Sequence, residues 1–232
     1  QVAATLVTVV FNQVVGVYGA LDAIGVESAL AAIGVAQKAT LFAIMPLVGL
    51  IMGAQPIIGY NYGARLWQRV LDTLKWASVT GVIMGTVFFV LAHVIPGPVV
   101  ALFGVTGDLE SFAVTALQIY TLLYPLVGFQ IVGSSYFQSS GQPLKAAILE
   151  LTRQIIFLIP LYLLLPPMAG LFGTTSLVMI TVCVPVADLL SIVVTAVFVV
   201  REVRKLRRMR KAEGNRKPGR LAEAEPAVAT LP

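Results

Sequence analysis

Residues 51–69 read IMGAQPIIGYNYGARLWQR. A strongly apolar run ends here in a glutamine, an asparagine, two tyrosines and three glycines, all before the first arginine, Arg65. A helix buried in a soluble core has no use for that mixture. It suits the polar-lined end of a membrane-spanning helix. Tyr60 and Tyr62 carry rings with a polar tip, which favour the membrane interface. Asn61 and Gly63 are residue types that terminate helices, and Arg65 and Arg69 hold the following loop on the cytoplasmic side.

The rest of the chain agrees. Its 232 residues are 58 % hydrophobic and 12 % charged, where a soluble domain carries about 25 % charged residues. Residues 1–200 hold six basic and seven acidic side chains, and residues 201–232 hold ten basic and four acidic. The formal charge of +5 is therefore a property of the tail, and nucleic acid is excluded as a partner. The single cysteine, Cys183, rules out a disulfide framework. The single histidine, His93, has no second histidine or clustered cysteine to make a metal site, so neither metal nor cofactor is expected. The chain enters VAATLVTVV directly after Gln1, without the charged n-region of a signal peptide. Gln1 reads as a truncation point with more protein upstream.

A spanning helix needs about 20 predominantly apolar residues. Six such stretches, at 2–21, 39–62, 74–95, 113–137, 144–165 and 177–200, predict an all-α integral membrane bundle over residues 1–200. Turn-forming strings separate them: GYNYGAR, PGP, GVTGD, SSGQP and PPMAGLFGTT. Gly141 followed by Pro143 reads as a helix stop and a helix start in succession. The string LFGVTGDLES suggests a short interfacial helix before the fourth span, capped by Thr106 or Asp108. Residues 201–232 continue the last helix and then become a Pro/Ala/Glu-rich disordered end.

Arg65, Arg69 and Lys75 follow the second span, Lys145 follows the fourth, and the basic tail follows the sixth. The other loops hold Asp22, Glu27, Asp108 and Glu110, with Lys38 alone at the head of span two. By the positive-inside rule both ends of the chain are cytoplasmic. The tail cluster either binds anionic lipid headgroups, at about 1 kcal/mol per residue, or only fixes topology.

Five prolines lie inside predicted spans: Pro46, Pro56, Pro125, Pro160 and Pro185. Each removes a backbone donor and frees a carbonyl four residues earlier, which in hydrocarbon must find a partner within the protein. They are candidate hinges. Polar residues inside spans include Asn12, Gln13, Gln37, Lys38, Gln55, Tyr124, Gln130 and Tyr136. Any single amide serves readily as glue between helices. Ionisable groups are different, because insertion at mid-membrane costs about 2.5–3.5 kcal/mol. Arg153 lies about 15 Å in from the cytoplasmic end of span five and Asp188 about 20 Å in along span six, so the two are matched in depth for a buried charge pair. Glu150, one turn before Arg153, reads as its local partner at the inner surface. Lys38, at the outer end of span two, either snorkels to headgroups or faces a wet vestibule with Gln37.

GAQPIIGYNYGAR at residues 53–65 resembles a signature of the multidrug and toxic compound extrusion (MATE) transporters. YFQSSGQPLKAAILELTRQIIFLIPLYLLLP, residues 136–166, is similar to the fourth and fifth helices of that family's C-terminal half, and VPVADLLSIVVT, residues 184–195, to its final helix. The nearest likeness is to the bacterial branch with DNA-damage-inducible and multidrug members, which implies the bacterial inner membrane. The resemblance implies twelve helices in two pseudo-symmetric six-helix bundles around a central cavity, this chain being the second and the first its missing partner. It implies export of small cationic or amphipathic substrates in exchange for protons or sodium ions. The family's proton-coupling carboxylate belongs to the first bundle. Some sodium-coupled relatives carry acids in the first helix of the second bundle, where this chain has Asn12 and Gln13; protons are therefore the expected coupling ion. Substrate contacts in this half are expected from the eight polar residues named above. Two other readings stay open beside an antiporter: a lipid-linked saccharide flippase of the wider superfamily, and a non-transporting membrane scaffold. An intramembrane enzyme lacks the nucleophile–base pair or metal site it would require.

Overall fold

The computed structural model describes residues 1–22, 24–104 and 107–228; for residue 108 and residues 213–228 it describes the backbone alone. The helices are α1 (Val2–Gly19), α2 (Val26–Gly63), α3 (Trp67–Val94), α4 (Pro96–Ala101), α5 (Asp108–Thr121), α6 (Tyr124–Ser139), α7 (Pro143–Leu151), α8 (Ile159–Leu164) and α9 (Ser176–Val228). A π-helical segment, Thr152–Leu158, joins α7 to α8, and a 3-10 segment, Pro166–Phe172, follows α8. By length and composition α1, α2, α3, the continuous stretch Pro143–Leu164 and α9 each suffice to cross a membrane. The pair α5–α6, bent by 48° at its break, is together long and apolar enough for a further span by the same measure.

Several boundaries differ from expectation, each for a local reason. The helix of the second span begins at Val26, ahead of residue 39, because no proline falls between them and the added residues are alanine-rich. Lys38 therefore lies twelve residues inside α2. The fourth span is interrupted at Leu122–Leu123, where Pro125 falls in the first turn of α6 and withholds a donor from the preceding turn. The fifth span passes through the π segment immediately before Pro160, and the widened turn accommodates the ring that would collide with the carbonyl of Ile156. Pro46, Pro56 and Pro185 lie within continuous helices. Gly141, at φ +76°, turns the chain between α6 and Pro143 as the spacing predicts. The short helix expected in LFGVTGDLES lies earlier, at Pro96–Ala101, started by a proline in its first turn. Its expected caps, Thr106 and the side chain of Asp108, lie outside the described part of the chain. Beyond Arg201 the backbone of α9 is helical to Val228; alanine, glutamate, arginine and lysine favour helix there, and Gly214, Pro218, Gly219 and Pro226 oppose it.

The buried residues form two apolar clusters. One joins α1, the first half of α2, α5, α8 and the start of α9 around Ile33, Leu117, Tyr162 and Ile180. The other joins the second half of α2, α3, α6, α7 and the later part of α9 around Ile58, Val70, Phe137 and Leu206. Between them, at mid-depth, three helices contribute buried polar groups: Thr40 from α2, Tyr124 and Gln130 from α6, and Asp188, Ser191 and Thr195 from α9.

The crossing of α3 and α6 brings backbone against backbone. A Cβ on Gly85 would lie 2.1 Å from the carbonyl oxygen of Tyr124, and one on Gly128 would lie 2.1 Å from that of Gly81. Gly81 and Gly85 form a G-x-x-x-G pair, the small-residue spacing that lets membrane helices approach closely. We predict that Gly85→Leu and Gly128→Leu each destabilise the bundle by about 3 kcal/mol or more, since overpacking against rigid backbone has no soft neighbour to displace. Gly49→Ala, inside α2 and meeting nothing within 4 Å, raises stability by about 0.5–1 kcal/mol. Thermal unfolding midpoints of the detergent-solubilised variants provide the measurement.

Candidate functional site

A cavity of about 460 Å³ opens between α2, α6 and α7. From α2 it takes Ile51 and Gln55, four residues apart on one helix face. From α6 it takes Ile131, Ser134, Ser135 and Gln138, an i, i+3, i+4, i+7 stripe. The same spacing recurs on α7 in Pro143, Ala146, Ala147 and Glu150. The floor of the cavity is thus two apolar helix faces, with hydroxyls, amides and one carboxylate set into them. Gln55 Nε2 donates to Ser135 Oγ at 3.0 Å, tying α2 to α6 across the cleft. Ser134 Oγ donates to Glu150 Oε1 at 3.1 Å, tying α6 to α7.

The polar residues singled out in the sequence divide into three groups. Gln55 lines the cavity. Tyr124, Gln130 and Tyr136 do not line it; they are buried inside the bundle. Tyr124 Oη donates to the carbonyl of Thr40 at 3.1 Å, and Gln130 Nε2 to Ser191 Oγ at 2.7 Å. Tyr136 packs edge-on against Phe137 in the second apolar cluster. Their positions on α6 are set apart from the stripe that faces the cleft. Asn12, Gln13 and Lys38 are exposed on the outside of this bundle, and Gln37 is half-buried. Ser134 and Ser135 went unremarked in the sequence, although their heptad spacing with Ile131 and Gln138 was the signal that marks them.

Arg153 and Asp188 meet. Arg153 Nε donates to Asp188 Oδ1 at 2.6 Å, linking the π segment to α9 in the polar mid-layer. The aspartate side chain is only 3 % exposed. Glu150, expected to pair locally with Arg153, faces the cavity instead. The π turn that begins at Thr152 carries Arg153 into direct contact with Asp188 on α9, while Glu150 stays within electrostatic range of the guanidinium. A second cluster lies toward the tail. Glu202, 4 % exposed, accepts from Gln142 Nε2 at 3.2 Å and pairs with Lys145 and Lys205, each at 3.5 Å. It fastens the turn between α6 and α7, which ends the cavity, to α9.

Removing one member of a buried pair leaves the other charge uncompensated, at about 3–5 kcal/mol. We predict that Asp188→Asn lowers stability by about 3 kcal/mol, and that Arg153→Gln with Asp188→Asn recovers most of that loss. A double-mutant cycle of unfolding midpoints reads the coupling directly.

Comparisons with known proteins bear on the family and the fold. Residues 2–164 match the model of the MatE family. The fold superposes on an outward-facing multidrug resistance MATE family transporter of the MOP superfamily, with TM-score 0.77 and 17 % identity, over 90 % of this chain and 44 % of that one. A MOP superfamily transporter from Pyrococcus furiosus gives TM-score 0.76 and 17 % identity, over 89 % and 44 %. The MATE multidrug transporter DinF-BH, solved in a complex, is 36 % identical, with TM-score 0.64 over 72 % of this chain and 36 % of its own. No curated protein sequence matches significantly. The chain spans less than half the length of each of these structures. It is an all-helical, multi-pass membrane protein, and it belongs to the MATE family of transporters.

Proposed function

We propose that this chain is the second bundle of a secondary antiporter that exports small cationic or amphipathic molecules in exchange for protons. The observation that carries this reading is the cavity between α2, α6 and α7. It is sized for a small molecule, within the usual range of about 300–1,000 Å³, and its polar groups are set at membrane depth among apolar walls. Irregular or polar surface at that depth is tolerated only where it lines protein or water. The exposed Asn12, Gln13 and Lys38 mark further surface that a first six-helix bundle would cover in the bilayer. Rocking of two such halves about a shared site is an established plan for secondary transport. The proline-associated break at Pro125, the π turn before Pro160, and Pro46, Pro56 and Pro185 are the places where helices would bend.

The basic residues support the orientation. Arg65, Arg69, Lys145 and the cluster from Arg201 onward follow alternate spans, which by the positive-inside rule supports the reading that both ends of the chain are cytoplasmic, in a bacterial inner membrane. A flippase for pyrophosphate-linked lipids would want guanidinium groups around its site; the cavity offers a carboxylate instead.

The full-length protein, reconstituted in vesicles, should export a fluorescent organic cation when a proton gradient is imposed and stop when a protonophore collapses it. Replacing sodium with choline should leave the rate unchanged. Transport that follows sodium and ignores the proton gradient would overturn the choice of coupling ion. In the same vesicles, a cysteine at Ser135 should react with a membrane-impermeant thiol reagent, whereas one at Tyr136 should stay protected. Protection at both positions would mean that no aqueous cleft reaches this surface.

A further inference from the structure

We propose that Glu150 is the charge-selecting residue of the cavity, the carboxylate that requires its occupant to be an organic cation. The proposal rests on the transport reading above and assigns its selectivity to one side chain.

Glu150 lies seven residues into the helix that Pro143 begins, about 10 Å along its axis. Among the described residues it is the one acidic group on the cavity wall, beside Gln55, Ser134, Ser135 and Gln138. Among the described residues no basic side chain forms an ion pair with it. The nearby cations make their direct contacts elsewhere, Arg153 with Asp188 and Lys145 with Glu202, although Arg153 also lies within electrostatic range of Glu150. The group is nevertheless held in place: Ser134, itself buried, donates to Oε1 at 3.1 Å and leaves the carboxylate exposed to the cleft.

An ionised carboxylate at this depth is costly when unpaired. The bundle satisfies its other spanning carboxylate, Asp188, with an arginine from the neighbouring helix, and gives Glu150 a single neutral hydroxyl. Arg153 acts on Glu150 only at a distance, its direct contact being Asp188, so the exposed carboxylate is open to a positive centre that enters the cavity. The two walls fit an amphipathic cation: Ile51, Ile131, Pro143 and Ala147 take an apolar body, while Glu150 takes a positive centre and excludes anions by repulsion. A neutral molecule of the same shape gains the apolar contacts but not the ion pair.

The experiment uses the full-length transporter in detergent or nanodiscs, with two fluorescent probes of similar size, a monovalent organic cation and a neutral isostere. Binding is read by anisotropy for the native protein, Glu150→Gln and Glu150→Asp. We expect Glu150→Gln to weaken the cation at least tenfold, to leave the neutral probe within about twofold, and Glu150→Asp to retain a preference for the cation. Unchanged cation binding in Glu150→Gln would overturn the proposal. So would an equal loss for both probes, which would make Glu150 a contact to the other bundle. Cation affinity that is retained while its pH dependence disappears would also overturn it, in favour of a proton carrier. If the native protein binds neither probe nor moves any cation, the transport reading itself fails, an outcome distinct from all of these.

Discussion

Hydrocarbon offers no hydrogen bonds, so each polar group in a spanning segment must be satisfied by the protein itself. The Arg153–Asp188 pair is where that constraint acts most strongly. An isolated charge at mid-membrane is expensive, and at 2.6 Å the two groups neutralise each other between adjacent spans. The pair anchors a layer that also holds Gln130 against Ser191 and Tyr124 against Thr40. This layer separates two apolar clusters that van der Waals packing alone would leave free to slide. Lipid tails are as apolar as leucine, so register between membrane helices is set by such polar contacts and by close backbone approach.

Backbone irregularity has the same origin. Pro125 and Pro160 each free a carbonyl, and the chain responds differently to each: a 48° break before α6 and a π segment before α8. The π segment has a consequence beyond relief of strain. By adding a residue to the turn, it rotates the rest of the span relative to α7, so that Glu150 and Arg153, one turn apart in sequence, address different surroundings. One faces an open cleft and the other a buried aspartate. Two chemically opposite environments are thereby built from a single short stretch of one span.

The cleft is held at its rim by interactions that reach the last helix. Glu202, buried beneath Lys145, Lys205 and Gln142, ties the turn before Pro143 to α9. The Gln55–Ser135 bond ties α2 to α6 from the other side. The cavity wall is therefore not three independent helices but a surface braced to the rest of the bundle. In a rocking transporter that favours motion of the half as a unit, with bending confined to the proline positions.

Much of this was legible in the chain itself. The apolar runs, the basic residues at alternate loops and the six spans come from length and composition, because a bilayer of fixed thickness admits little else. The matched depths of Arg153 and Asp188 could be counted along two helices. The facing of α6 was not legible that way. Only packing against α9 and the second apolar cluster turns Gln130 and Tyr136 into the bundle and leaves Ser134 and Ser135 on the cleft. Nor does the string reveal the G-x-x-x-G contact of Gly81 and Gly85 as a crossing with Gly128, because spacing names a small face without naming its partner. Local periodicity determines which residues share a helix face; rotation about the helix axis, set by neighbouring helices and by the π turn, decides what each face sees.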